Sequence, residues 1–411
     1  MPRVMPKIAK LNGSCCGCGA CAAKCPKVCI EMVPDAAGFL RPEVDLDACV
    51  GCYGCDAVCP AIGKRPEDAT SSVYWAKSRD KDERLASSSG GIFAVLAHGV
   101  LADGGVVAGA SWGPGCKSVR HVLVEDELGL ESVMRSKYVQ SSVGREVYEG
   151  VRGALRGGRR VLFAGTACQI AGMSAYLGKL ADSEAFLSVD VICHGTPSPL
   201  LWERWVEHKE RVARAALYAV NMRSKTTGWL SYSASYTYAQ GAEKDSALAS
   251  TALQGDSAIF HDDWYMKAFL SNACLRPSCH DCPVKRSCGS DITLGDFWGI
   301  QSAHPEVDFD GGVSAVICNT SRGVAAFEAV SAFIDGGESS VEKVLPGNPS
   351  LVSSVPPYAK RDEFMRDLED GMAIKEMMRK HNFRASLAQR VRAKLGAAKR
   401  RILGVARGLF G

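Results

Sequence analysis

A doubled cysteine motif at the start of this chain constrains its fold more than any other feature. Residues 15–26, CCGCGACAAKCP, put five cysteines into twelve positions. The first copy reads Cys15-x2-Cys18-x2-Cys21-x3-Cys25-Pro26, and the spacing recurs as Cys49-x2-Cys52-x2-Cys55-x3-Cys59-Pro60. Three thiolates so spaced can wrap a tight turn around one iron–sulfur cubane. The fourth lies a helical turn further on and reaches the neighbouring cubane, and the proline ends that turn. By that rule Cys15, Cys18, Cys21 and Cys59 hold one [4Fe–4S] cluster, while Cys49, Cys52, Cys55 and Cys25 hold the other. Gly17, Gly19, Gly51 and Gly54 suit backbone passing close to sulfide. Zinc is the competing reading, but paired C-x2-C knuckles suffice for zinc. The pattern predicts an α+β, ferredoxin-like two-cluster domain over 1–65, with Cys16 and Cys29 as bystander thiols.

The 411 residues contain eighteen cysteines. In a small secreted chain these would imply disulfides. The opening MPRVMPKIAKLNGSCC lacks the apolar core of a signal peptide, which predicts a cytoplasmic location and metal-bound thiolates. Hydrophobic content of 46% and charged content of 23% are ordinary for a soluble protein, and the net charge of +4 singles out no partner. The longest apolar stretch, IFAVLAHGVLADGGVVAGA, is broken by His98 and Asp103 and does not span a membrane.

Beyond a polar linker, GKRPEDATSS, the pattern changes. VYWAKSR, GGVVAGASW, RVLFAG, FLSVDVI and SAVICN read as strands, with helical patterns over 90–102, 144–157, 167–178, 197–213 and 321–335. Their alternation predicts an α/β domain over 66–345 with a mixed, largely parallel sheet. LSYSASYTYA alternates and is expected as an antiparallel strand beside it. Three strand ends carry small or polar residues. Ser89, Gly90 and Gly91 precede a helix, where free N–H groups suit a phosphate, although a capped helix start packed through glycine has the same appearance. Gly165, Thr166 and Gln169 repeat the arrangement, and Cys193, His194 and Gly195 form a third strand end. Ligands in open α/β sheets lie beyond the carboxyl ends of strands, so the three point to one crevice. His194 at such an end is a candidate catalytic residue, with a structural role as the alternative.

A second cysteine group, Cys274-x4-Cys279-x2-Cys282-x5-Cys288, implies another metal site. Zinc fits four such thiols. With two clusters already in the chain, a third cluster in series is the favoured expectation.

The ferredoxin-type head, SSSGG, SKYVQSSVG, VLFAGTACQIAGM, DVICHGTPSP and LRPSCHDCP…SDITLGDFWGI together resemble the coenzyme F420 hydrogenase/dehydrogenase beta-subunit family, from about residue 12 to about 340. The resemblance is strongest to bacterial members encoded beside polysaccharide-synthesis enzymes. It implies FAD with a [4Fe–4S] cluster nearby, the flavin lying near Ser89, Gly90, Gly91, Lys137, Tyr138, Gln140, Gly165, Thr166 and Gln169. Lys137 would balance phosphate or reduced-flavin charge, with a solvated lysine as the alternative. Ala167 stands where the family often has proline. The resemblance also opens the third cluster's fourth ligand to Cys193, Cys168 or Cys288.

The tail, 346–411, is expected to be helical and basic. From Lys375 onward it holds eleven Lys or Arg and one acidic residue, Glu376. Leu387, Val391, Leu395, Ile402, Val405 and Leu409 fall near one helical face. Such a helix can lie peripherally on an anionic inner-membrane surface, remain solvated, or pack on a partner. No recognised nucleic-acid module accompanies the charge.

The sequence therefore predicts an iron–sulfur flavoprotein oxidoreductase. Electrons would pass between ferredoxin-type clusters and FAD, with hydride exchange to an organic partner: an F420-like deazaflavin, a nicotinamide, or an intermediate of polysaccharide biosynthesis. The alternative is a non-catalytic electron-transfer subunit docking on a redox partner protein, and assembly into an oligomer or complex is expected in either case. A zinc-stabilised interaction module is the third reading.

Overall fold

The computed structural model describes residues 5–63, 71–239, 253–285 and 287–383. In the head the two cysteine motifs fold alike. Gly17 and Gly51 both adopt positive φ, 71° and 69°. A short helix follows each, Ala20–Lys24 and Gly54–Ala57, preceded by a left-handed residue, Gly19 at φ 84° and Tyr53 at φ 55°. The conformational demand expected at Gly54 thus falls on Tyr53, because a Cβ on Gly54 would meet only ordinary contacts of 3.7 and 3.8 Å. Between the motifs runs an antiparallel hairpin of β1 (Ile30–Pro34) and β2 (Leu40–Val44). Ile8 and Ile30 pack with Cys21, Cys25, Cys55 and Cys59 in a small core of their own.

Twelve strands build the body among the described residues. They are β3 (Ser72–Ser78), β4 (Val106–Trp112), β5 (Val119–Val124), β6 (Ser141–Ser142), β7 (Val161–Thr166), β8 (Phe186–Val191), β9 (Ala216–Ser224), β10 (Ser233–Ala239), β11 (Leu253–Ile259), β12 (Ile292–Asp296), β13 (Ser314–Cys318) and β14 (Ile334–Glu338). Nine of them form one sheet in the order β14-β3-β13-β12-β8-β7-β4-β5-β6. Its centre, β12-β8-β7-β4, is parallel. The pairs β4-β5, β12-β13, β13-β3 and β3-β14 are antiparallel, so parallel pairing is confined to the centre and the short β5-β6 contact. Helices link β4, β7, β8 and β12, as parallel neighbours require, whereas the turn between β4 and β5 is too short for a crossover.

Central strands alternate between two apolar layers, as strand periodicity dictates. Val107, Leu162 and Leu187 pack under the Ile92–Ala102 helix, while Val106, Phe163 and Phe186 face the Arg145–Arg156 and Ala167–Leu177 helices. The expected helix over 321–335 stops at Ala329 and the chain turns into β14. Gly337 makes that pairing feasible, since a Cβ there would lie 2.7 Å from Trp75 Nε1.

LSYSASYTYA does not join the main sheet. It forms β10, between β9 and β11 in a separate antiparallel sheet. Tyr236 and Tyr238, on its buried face, share a core with Trp202 and Trp205 of the Pro199–Ala213 helix, and Trp205 donates to the Tyr236 hydroxyl at 3.0 Å. Helices Arg361–Glu369 and Ile374–Lys380 pack on the same core through Phe364, Leu368 and Met377. The described part of the expected tail, to residue 383, is therefore built into the body. The basic amphipathic stretch over 387–409 lies outside the described residues. Among the described residues no helix is long and apolar enough to cross a membrane.

Gly90 sits where the Ile92–Ala102 helix meets the sheet, and a Cβ on it would lie 2.5 Å from Ala76 O and 2.7 Å from Ser314 N. Gly90→Ala is expected to cost about 1–3 kcal/mol, read as a lower melting temperature. Gly153→Ala, in the middle of a helix with nothing within 4 Å of the new methyl, should raise it.

Candidate functional site

The three polar strand ends do meet. They line a cavity of about 510 Å³ whose wall includes Ser87, Ser88, Ser89, Gly91, Lys137, Tyr138, Gln140, Gly165, Thr166, Gln169 and His194. Gly90 is not part of that wall. Its N–H donates to Ser314 Oγ at 3.0 Å and its carbonyl accepts from Ser78 N at 2.6 Å, so its role is close packing. The serine loop before it is held from behind: Lys225 donates to Ser89 O at 2.6 Å, Arg223 to Ser88 O at 3.2 Å, and Ser136 N to Ser88 Oγ at 2.8 Å.

Several expected ligand contacts are already committed to the fold. Thr166 and Gln169 form a capping box at the start of the Ala167–Leu177 helix, and Gln169 Nε2 donates to Ser141 Oγ at 2.9 Å. Gln140 accepts from Leu40 N at 3.2 Å and from Arg276 at 3.1 Å. Tyr138 stacks on Phe269 with centroids 4.8 Å apart. His194 Nε2 lies 2.7 Å from Asn272 Oδ1, which fixes its proton on Nε2, and burial lowers its pKa, so the ring is a neutral hydrogen-bonded group. Lys137 is half-buried and donates to Met134 O at 2.7 Å.

The sequence reading missed the opposite wall. Arg223 is buried, pairs with Asp296 at 2.7 Å and lies 3.9 Å over the Tyr232 ring and 5.0 Å from that of Trp298. Trp229 Nε1 donates to the same Asp296 oxygen at 2.6 Å. His121 also reaches the cavity, its Nε2 held by Ala164 O at 2.9 Å and its pKa lowered to about 4 by burial. Asp296, the carboxylate of this wall, is thus neutralised by Arg223. Lys137 adds an amine that an anion would charge, and the cavity suits an anionic ligand with an extended apolar body.

Behind Thr166, Cys168, Cys193 and His194, which belong to both walls, lies a second cavity of about 540 Å³. Cys16, Cys279, Cys282 and Cys288 also line it. Burial and the neighbouring Cys279, Cys168 and Cys282 push the Cys193 thiol far up, and burial pushes Cys279 up to about 11. Thr196 N donates to Cys279 Sγ at 3.3 Å, and Thr166 Oγ1 is 3.2 Å from Cys168 Sγ. Cys168, Cys193, Cys279 and Cys282 therefore face one another. Cys274 lies apart, fully buried beside Tyr265 and Leu275. Cys288 interacts with Asp190, whose carboxyl accepts from Ser290 at 2.7 Å and Thr293 at 2.6 Å and is raised to about 6 by burial.

In the head, burial and the charges of Cys15 and Cys59 push Cys21 up to about 12, so the second motif's last cysteine lies against the first motif. Cys18 lies near Cys168 of the body, and Cys59 lies near Cys15 and Cys21, an inner group. Cys55 lies near the exposed Cys52, and Cys25 and Cys49 both lie near Cys29, an outer group. Neither thiol read as a bystander is isolated: Cys29 Sγ lies 3.4 Å from Cys25 Sγ, and Cys16 shares the body's thiol cavity. The thiols of the head and of the body cavity are soft donors, the ligand type that iron–sulfur clusters take.

Residues 158–336 match the family described as the C terminus of the coenzyme F420 hydrogenase/dehydrogenase beta subunit. Over that stretch the chain is similar to this family. No curated protein matches the chain. A chain of the F420-reducing [NiFe] hydrogenase complex from Methanosarcina barkeri is similar at 19% identity with a TM-score of 0.41, covering 74% of this chain and 90% of that one. The beta-subunit match holds Thr166, Cys168, Cys193, His194, Arg223 and both of Cys279 and Cys282. The serine loop, Lys137 and the head precede it.

Burial, with Arg135 nearby, pulls the Lys137 amine down to about 7. An anion bound beside it would favour the charged form. Binding of a phosphate-bearing ligand at pH 8 should therefore take up close to one proton, measured by calorimetry in buffers of different ionisation heat. The uptake should fade below pH 7, where the amine is already charged, and vanish in Lys137→Met.

Proposed function

We propose that this chain is an iron–sulfur flavoprotein oxidoreductase of the beta-subunit type. The observation that carries the reading is the shared wall: Thr166, Cys168, Cys193 and His194 separate a cavity lined by facing thiols from one shaped for an anionic ligand. Inner and outer head thiols would each hold a [4Fe–4S] cluster. Cys168, Cys193, Cys279 and Cys282 would hold a third, with Cys288 engaged by Asp190 and Cys274 serving as core. FAD would occupy the other cavity, its phosphates toward the Ser87–Ser89 loop and Lys137. Bound there, a flavin supplies the coupling between one-electron and two-electron transfer.

The chain's own residues do the remaining work. Arg223 and Lys225 hold the serine loop open to a ligand, Gln169 and Thr166 fix the loop between the cavities, and His194 stands as a neutral donor on Nε2 at their common wall. The exposed Cys52 puts the outer group where a redox partner protein can reach it, and the inner group faces the body. A cavity of this size favours an enzyme with an organic hydride partner over a purely electron-carrying subunit.

Anaerobic purification with iron, sulfide, zinc and flavin measured together tests this reading. About twelve irons and one FAD per chain are expected. Cys193→Ala or Cys279→Ala should each remove about four irons, whereas Cys274→Ala should leave the iron content unchanged. Zinc in place of the third cluster, or no flavin, would overturn the assignment.

A further inference from the structure

Arg276 has 1% of its surface exposed and sits at the seam between head and body. Its Nε donates to Cys15 O at 2.6 Å, Nη2 to Leu40 O at 2.7 Å and Nη1 to Gln140 Oε1 at 3.1 Å, and its guanidinium lies 5.4 Å from the centre of the Phe39 ring. All three acceptors are neutral. Among the described residues no carboxylate pairs with it, in contrast to Arg223, which has Asp296 at 2.7 Å. A guanidinium keeps its charge in proteins, and a buried charge without an opposite one is costly. The backbone of the first motif folds down onto this cation: a Cβ on Gly17 would lie 2.8 Å from Arg276 Nη1. The Cys168 thiol of the body feels the arginine's charge, and the bond from Arg276 to Cys15 O ties it to the loop that carries the inner thiols.

We infer that Arg276 is the counter-ion of the seam, holding the Cys15–Cys18 loop on the body and stabilising the negative charge added when the thiol-held centres on either side accept an electron. The inference rests on the reading that these thiols hold clusters. Each transfer adds one electron and one unit of negative charge, with no proton required; the electron comes from a one-electron reductant. A fixed cation close by makes the reduced form easier to reach. The outer group lies on the far side of the inner one and should feel it least.

Anaerobically reconstituted chain would be titrated with dithionite and followed by electron paramagnetic resonance, with the outer centre assigned by its loss in Cys52→Ala. Wild-type chain that binds iron and gives reduced-cluster signals establishes the underlying reading separately; a chain that binds none removes both. Arg276→Met should move the inner and body midpoints to more negative potential while the outer one stays, and Arg276→Lys should restore much of the shift. Gln140→Glu keeps the clamp yet sets a carboxylate on the guanidinium, so it should lower the same two midpoints even where the methionine variant fails to fold. A purely structural arginine would lower the melting temperature with every midpoint unchanged, and that result overturns the inference.

Discussion

The main-chain carbonyls of the first cysteine motif are held by side chains of the body. Tyr148 donates to Cys18 O at 2.8 Å, Arg145 to Cys25 O at 3.1 Å and Arg276 to Cys15 O at 2.6 Å. A loop wound so that its thiols converge cannot pair its own carbonyls as a helix or sheet would, and buried carbonyls need donors. Because these donors belong to the body, moving the head would strip Cys15 O and Cys18 O of them, while Cys25 O would keep its bond from Val28 N at 3.3 Å. Ser198 adds a fourth tie, to Ala37 O at 2.6 Å beyond the first hairpin strand. The inner thiols thereby gain a fixed position relative to Cys168, whose helix also brings Gly172 close to Cys18, where an added Cβ would lie 3.0 Å from its sulfur.

The second constraint is topological. β8 and β12 are parallel neighbours, yet the chain between them spans residues 192–291 and must leave from one end of the sheet and return at the other. Along that path it builds the β9-β10-β11 sheet and then the cysteine segment. One long crossover therefore supplies Arg223 to the ligand cavity, Lys225 to the back of its serine loop, and Cys279 and Cys282 to the thiol cavity. It roofs the carboxyl ends of β7 and β8, where Thr166 and Cys193 emerge, so both cavities close over a crevice that the sheet alone would leave open.

Local chemistry was legible in the sequence, and long-range pairing was not. The cysteine spacing anticipates the crossing of Cys59 toward Cys15 and Cys21, because three thiols on one turn leave the fourth nowhere else to reach. The strand ends at Gly165–Gln169 and Cys193–Gly195 were visible for a similar reason: a buried strand followed by small polar residues has few other meanings. Arg223 carried no comparable signal, since an arginine in NMRSKTTGW reads as a solvated residue until Asp296 and Trp298 are brought to it from distant strands. Cys16 and Cys29 read as bystanders because spacing reports only neighbours along one turn, whereas Cys168 and Cys49 reach them from other segments. Cys274 is the opposite case, since its spacing is that of a ligand while its side chain is buried in a core shared with Tyr265.

Arg223 and Arg276 are both deeply buried, and the contrast between them shows how the two regions differ electrically. Arg223 is closed into a neutral pair with Asp296, stacked on aromatic rings, and fixes the serine loop without imposing net charge on the wall. Arg276 has only carbonyl and amide acceptors, so its charge stays available to whatever anion lies near. In a low-dielectric interior that difference governs response: a paired cation is nearly indifferent to charge arriving nearby, while an unpaired one stabilises it over several ångströms. The Arg223 wall thus holds shape with its charge paired, while the seam carries a cation with no carboxylate partner among the described residues.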